Sequence, residues 1–147
     1  MVLEIIPVKI EEEIKPNTDI IDLILESTVI NDYDILIFSQ KIISKNEGRI
    51  VDLSSVNPSL LASGIASSYG KDPRLVELIL SESKRIVRMQ ESVIIVESNH
   101  GFVCANAGID ESNVRDGYVT MLPEDPDQSA DKLKKQIEQR TKKNTAV

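Results

Sequence analysis

Four consecutive branched apolar residues, Val93-Ile94-Ile95-Val96, narrow the folding options of this 147-residue chain more than any other stretch. A run this short, without helical period, reads as a buried strand. It passes through Glu97-Ser98-Asn99 into a second apolar run, Phe102 to Cys104, so the two form a hairpin with His100 at its turn. Beyond Ala105 the hydrophobic period stops. Small residues follow (Ala107, Gly108), then the polar series Asp110-Glu111-Ser112-Asn113. The strand therefore runs out into a loop, and Gly108 allows a sharp turn or a close backbone approach there. The loop's oxygen atoms are of the kind that magnesium and manganese prefer. The same residues equally describe an Asx-rich turn.

The length suits one domain, spanning residues 1–147, able to bury roughly two-thirds of its unfolded surface. With aromatic residues at 3% and no Trp, its core has to be built from Ile, Leu, Val and Ala. A net charge of −7 argues against a general nucleic-acid binder, which needs a basic face for phosphates, but leaves room for one nucleotide in a local pocket. Cys104 is the only cysteine, which excludes an internal disulfide and a multi-cysteine metal site and points to a reducing, cytoplasmic setting. His100 lies four residues away, about 13 Å along a strand. Cys104 is therefore expected as a small buried hydrophobe and not a nucleophile. No run approaches the ~20 apolar residues of a membrane span, and the N-terminus lacks the shape of a signal peptide. A soluble protein with no membrane partner is expected.

Taken in order, Met1 to Val8 reads as a strand and Asn17 or Thr18 as the cap of a helix carrying Ile20, Ile21, Leu23, Ile24 and Leu25. Asp34 to Phe38 reads as a strand buried on both faces. The tract from Ser39 to Arg49 reads as a ligand loop at the end of that strand or as a solvated edge strand. It gathers Lys41, Lys45 and Arg49, compact positive charges suited to a polyphosphate, although the glycine-rich phosphate cradle is missing. Ile50 to Leu53 returns as a strand. A helix follows that starts in Asn57-Pro58-Ser59, with Pro58 at or near its first position, and runs to Gly70, and another opens at Asp72-Pro73. Lys84 to Arg88 forms a charged strand or turn, Gly117 to Leu122 another strand, and Asp125, Pro126 or Asp127 begins a last helix with Ala130, Leu133 and Ile137 on one face. The expected fold is α+β, a mixed sheet of about six or seven strands with about four helices.

Four stretches carry a resemblance to a known family. They are His100-Gly101-Phe102-Val103-Cys104-Ala105-Asn106-Ala107-Gly108-Ile109-Asp110, Ile42-Ile43-Ser44-Lys45-Asn46-Glu47-Gly48-Arg49, Lys71-Asp72-Pro73-Arg74-Leu75-Val76, and Leu122-Pro123-Glu124-Asp125-Pro126-Asp127. In this order and spacing they resemble the coenzyme F-420:L-glutamate ligases, gamma-glutamyl ligases of an 8-hydroxy-5-deazaflavin coenzyme. The resemblance implies a homodimer that uses GTP with magnesium or manganese to add L-glutamate to the deazaflavin coenzyme. It also implies Asp110 as metal ligand, and Gln40, Lys41, Lys45 and Asn113 as nucleotide contacts, with Ser39 and Ser44 beside them. Family members also place nucleotide contacts after the Pro7-Val8 pair, where Lys9-Ile10-Glu11-Glu12 departs from their glycine-containing loop.

Family members are longer, and a further metal aspartate of theirs has its place beyond Val147. The chain is thus expected to correspond to the N-terminal portion of such a ligase. Two other readings stand beside it: a non-catalytic module holding a nucleotide or deazaflavin (or a half-site subunit needing a partner chain), and a purely structural dimerisation unit.

Overall fold

The computed structural model describes residues 3–90 and 93–147. The chain divides into two compact units: residues 1–48 with 125–147, and residues 49–124.

The first unit is mainly helical. Helix α1 spans Ile20–Ser27, and its cap is Asp19, whose side chain accepts from the Asp22 N–H, in place of the expected Asn17 or Thr18. Helix α2 (Gln40–Asn46) occupies the tract expected as a loop. The adjacent Ile42 and Ile43 supply the apolar face that the charged residues around them disguised: Ile43 is buried and Ile42 packs against the same core. The last helix of the chain, Pro126–Thr141, is capped by Asp125 and buries Ile137. Ile20, Ile21, Ile24, Ile30, Ile43 and Ile137 form one cluster, as a chain without Trp requires.

Among the described residues, the second unit holds all the ladders. Strand β1 (Ile50–Asp52) leads to helices α3 (Leu60–Tyr69) and α4 (Pro73–Ser81), then to β2 (Ser83–Gln90), β3 (Val93–Ser98), β4 (Val103–Ala105) and β5 (Tyr118–Thr120). Helix α3 is capped by Ser59, so Pro58, expected at or near the first helical position, lies just before the cap; α4 starts as expected, capped by Asp72 with Pro73 in its first turn. Gly70 closes α3 in the left-handed conformation. Strands β2, β3 and β4 pair antiparallel in that order, and β1 pairs antiparallel with β5. Ile94 and Val96 point inward, fully buried, into a core with Ile79, Val76, Ala62, Ile109 and Val119.

With the C-terminal helix as α5, the described residues form five α-helices and five strands in sheets of two and three, not one mixed sheet of six or seven strands with four helices. Two expected strands account for the difference. Leu3 to Val8 joins no ladder, and Leu3 and Ile5 are exposed; Met1 and Val2 lie outside the described residues. Asp34 to Phe38 makes only an isolated parallel bridge, Ile35 to Ala146. Leu36 and Phe38 pack on the helical core, whereas Ile35 is 72% and Ile37 92% exposed. A strand needs neighbours on its edges to count as one, and sequence pattern alone cannot supply them.

Candidate functional site

The site residues named from the sequence fall in both units. Gln40, Lys41 and Lys45 belong to the first, Asp110 and Asn113 to the second.

On α2, Lys41 and Lys45 are one turn apart and therefore share a face, both partly buried. Gln40 donates its side-chain amide to the Ser44 hydroxyl at 2.8 Å. Ser44 is fully buried, so it serves the helix interior. Ser39 is exposed at the helix start, without a side-chain capping bond. Arg49, grouped with the two lysines in the sequence, has a structural task in the second unit. Its Nη2 meets Glu82 at 3.0 Å and its Nε donates to the Leu122 carbonyl at 2.9 Å. Lys9, in the N-terminal loop, pairs with Glu11 at 2.7 Å on an exposed surface.

Asp110 stands where the second unit is most tightly specified. The residues before it, Asn106, Ala107 and Gly108, all have left-handed backbones, with φ of 51°, 55° and 73°. Asp110 then forms an antiparallel bridge with Thr120: its N–H donates to the Thr120 carbonyl at 3.0 Å and its carbonyl accepts the Thr120 N–H at 2.9 Å. The Thr120 hydroxyl donates to the same Asp110 carbonyl at 3.2 Å. At the other end of the residue, Oδ1 accepts the Ser112 N–H at 2.8 Å and Oδ2 the Ser112 hydroxyl at 3.0 Å. The Asx turn expected from composition is therefore present. Asn113 follows, exposed and left-handed at φ 56°.

Among the described residues, no three His, Cys, Asp or Glu side chains converge as a metal cluster. Magnesium in nucleotide sites commonly takes one or two protein carboxylates, completing its shell with phosphate oxygens and water. A single well-oriented aspartate fits that role as part of a shared shell; it does not make a self-sufficient site.

Two further groups singled out in the sequence, His100 and Cys104, lie on the β3–β4 hairpin. His100 sits at the β3–β4 turn as expected, its Nε2 2.9 Å from the Glu124 carbonyl and its ring stacked on Phe102. Burial pushes the Cys104 thiol above its ordinary value, which suppresses the thiolate a nucleophile requires. Reading the sequence missed the left-handed triplet before Asp110. Asn106 and Gly108 were the visible signals, since both residue types tolerate a positive φ, whereas Ala107 gives none. No helix among the described residues is long and apolar enough to cross a membrane.

Comparison with known proteins places these features in context. Residues 8–147 match the family described as F420-0:Gamma-glutamyl ligase. A coenzyme F420:L-glutamate ligase of Methanopyrus kandleri is 45% identical over 92% of this chain and 54% of its own length. Its namesake in Methanothermobacter thermautotrophicus is 51% identical over 79% of this chain and 46% of its own length. The Archaeoglobus fulgidus ligase is 39% identical over the whole chain and 59% of its own length. The chain spans about half the length of the curated relatives it matches. With a match covering all but its first seven residues, the chain belongs to the F420-0:gamma-glutamyl ligase family.

Proposed function

We propose that this chain takes part in a GTP-dependent ligation of L-glutamate, through gamma-linkages, to the precursor of the deazaflavin coenzyme F-420. The observation that carries the reading is the family match over residues 8–147, together with relatives that bear the name of this ligase. A carboxylate is a poor electrophile. Its activation as an acyl phosphate, formed by phosphoryl transfer from GTP, gives the amine of glutamate a centre to attack. Such a reaction relies on alignment and on cations facing phosphate oxygens more than on a protein nucleophile. The residues match that demand: no activated thiol is present, and two lysines share a face of α2.

In this reading Gln40, Lys41, Lys45 and Asn113 contact the nucleotide, and Asp110 holds magnesium or manganese. The metal supplies charge neutralisation at the phosphate oxygens. Asp110 is prepared for its role by the Thr120 bridge, which fixes its backbone, and by the Ser112 bonds, which orient its carboxylate. The protein acts in the cytoplasm as a homodimer, in keeping with the family it resembles.

The test is an intact-mass assay with GTP, manganese, L-glutamate and unglutamylated coenzyme. It is run on the chain alone, and again with a polypeptide equivalent to the half of the M. thermautotrophicus relative that this chain does not match. Gain of glutamyl mass in either mixture supports ligase function; absence of product in both overturns it. A second reading is a non-catalytic module that binds GTP or the deazaflavin. Metal-dependent GTP binding without product in either mixture selects that reading.

A further inference from the structure

We propose that Asn106 is a positioning residue for the Asp110 carboxylate, acting through the left-handed triplet Asn106-Ala107-Gly108. The inference rests on the reading of Asp110 as metal ligand, and it deepens that reading.

Three successive left-handed residues are unusual, because a Cβ in this region crowds the following carbonyl. Such a turn persists only where its surroundings hold it. Here each residue is held differently. Gly108 lies beneath the Leu122 side chain, where an added Cβ would come within 2.7 Å of Leu122 Cδ2. The Ala107 methyl is 1% exposed, packed among Ile94, Val96 and their neighbours. Asn106 alone uses a polar side chain: its Oδ1 accepts the Ile94 N–H of β3 at 3.3 Å. Its carbonyl also accepts the Ile109 N–H at 3.0 Å, closing the turn.

The turn therefore hangs from the central strand of the sheet by one side-chain bond and two apolar fits. Its exit direction buries Ile109 and registers Asp110 opposite Thr120. Asparagine suits the first position for two reasons. It tolerates the left-handed region, and its amide oxygen reaches a strand N–H. Alanine offers neither property, glycine only the first, and aspartate both. That ranking separates positioning from bulk.

The experiment compares Asn106→Ala, Asn106→Gly and Asn106→Asp with the unsubstituted chain and with Asp110→Asn. Two readouts are followed by NMR: amide exchange at Asp110 and Ser112, and paramagnetic broadening of the Ser112 and Asn113 amides by Mn²⁺, added alone and then with GTP. Asn106→Ala is expected to speed exchange at Asp110 and Ser112 by about tenfold, leaving α4 amides such as Ile79 unchanged. Its Mn²⁺ affinity should fall about tenfold, in the range of losses seen when groups orienting a metal ligand are removed. Asn106→Gly should lie between, and Asn106→Asp should restore both readouts to within about threefold of the parent.

Unchanged exchange at Asp110 in Asn106→Ala overturns the proposal, as does an equal rise at Ile79, which means that Asn106 acts only through global stability. Failure of the underlying reading looks different. If the unsubstituted chain shows no broadening, or Asp110→Asn leaves it intact, Asp110 is not a metal ligand, while the exchange series still decides whether Asn106 positions it.

Discussion

Val93–Val96 and Asp34–Phe38 both carry a short run of branched aliphatic residues, Val-Ile-Ile-Val in the first and Ile-Leu-Ile in the second, and they end up in opposite conditions. The first lies in β3, with β2 on one side and β4 on the other, and its Ile94 and Val96 are sealed in the core. The second has one isolated bridge, and Ile35 and Ile37 stay exposed although Leu36 and Phe38 pack inward. Branched side chains make both segments suitable for a pleated surface, but a ladder is a property of pairs of segments. The difference teaches that strand propensity and strand formation are separate facts, and that only the second decides which side chains contribute to stability.

The sharpest test is a matched pair of truncations. Ile94→Ala should cost about 2–5 kcal/mol, the range for emptying a packed aliphatic site. Ile37→Ala should stay within about 0.5 kcal/mol, as for an exposed position. Urea denaturation measures both, and a large loss at Ile37 would mean that this face is covered in solution. Next in size is Gly108→Ala, which combines a positive φ with the close approach of Leu122. About 1–3 kcal/mol should be lost through overpacking alone. Adding Leu122→Ala, which makes room for the new methyl, should recover part of the stability lost to crowding.

Smaller effects extend the comparison from strands to helices. Asp72→Ala and Asp125→Ala each remove a carboxylate that caps a helix, α4 in one unit and α5 in the other. Each should cost about 1 kcal/mol by thermal or denaturant unfolding. A loss confined to Asp72 would show that the helices of the first unit hold without their caps.

The smallest effect is an acid dependence. The Arg140 guanidinium beside Asp19 holds that carboxyl below its ordinary value, and Arg74 does the same for Asp72. A depressed folded pKa adds stability above the unfolded value of about 4, and that stability disappears as pH falls through the folded value. Both units should therefore lose stability below about pH 4. Arg140→Gln should remove only the part of the loss that belongs to the first unit. Because these ion pairs are largely exposed, the change should be modest and should shrink with added salt. NMR titration of the two carboxylates measures it.

Much of the second unit was legible in the sequence because its signals are local. Asn57-Pro58-Ser59 announces a helix start to within a residue or two, Asp72 and Pro73 a second start, Gly70 an end, and Val93–Val96 with Phe102–Cys104 a hairpin. The first unit was harder to read. Charges around Ile42 and Ile43 concealed α2, and Asp34–Phe38 was given partners that the described residues do not supply. At the candidate site, the oxygen-rich character of Asp110 to Asn113 was plain, and so was the clustering of Lys41 and Lys45. The removal of Arg49 from that cluster was not, since its partners Glu82 and Leu122 are 33 and 73 residues away.

By itself, the sequence determined the family, the cap of α4, the aliphatic character of both cores and the identity of the polar residues near position 110. These follow from short-range chemistry and motif order. Only the tertiary structure decided that Asn106, Ala107 and Gly108 turn left-handed, that Thr120 and Ser112 grip Asp110 at both ends, and that one apolar run is sealed while the other is not. Each of those outcomes depends on atoms brought together from distant parts of the chain, where hydrogen-bond partners and packing neighbours override local preference.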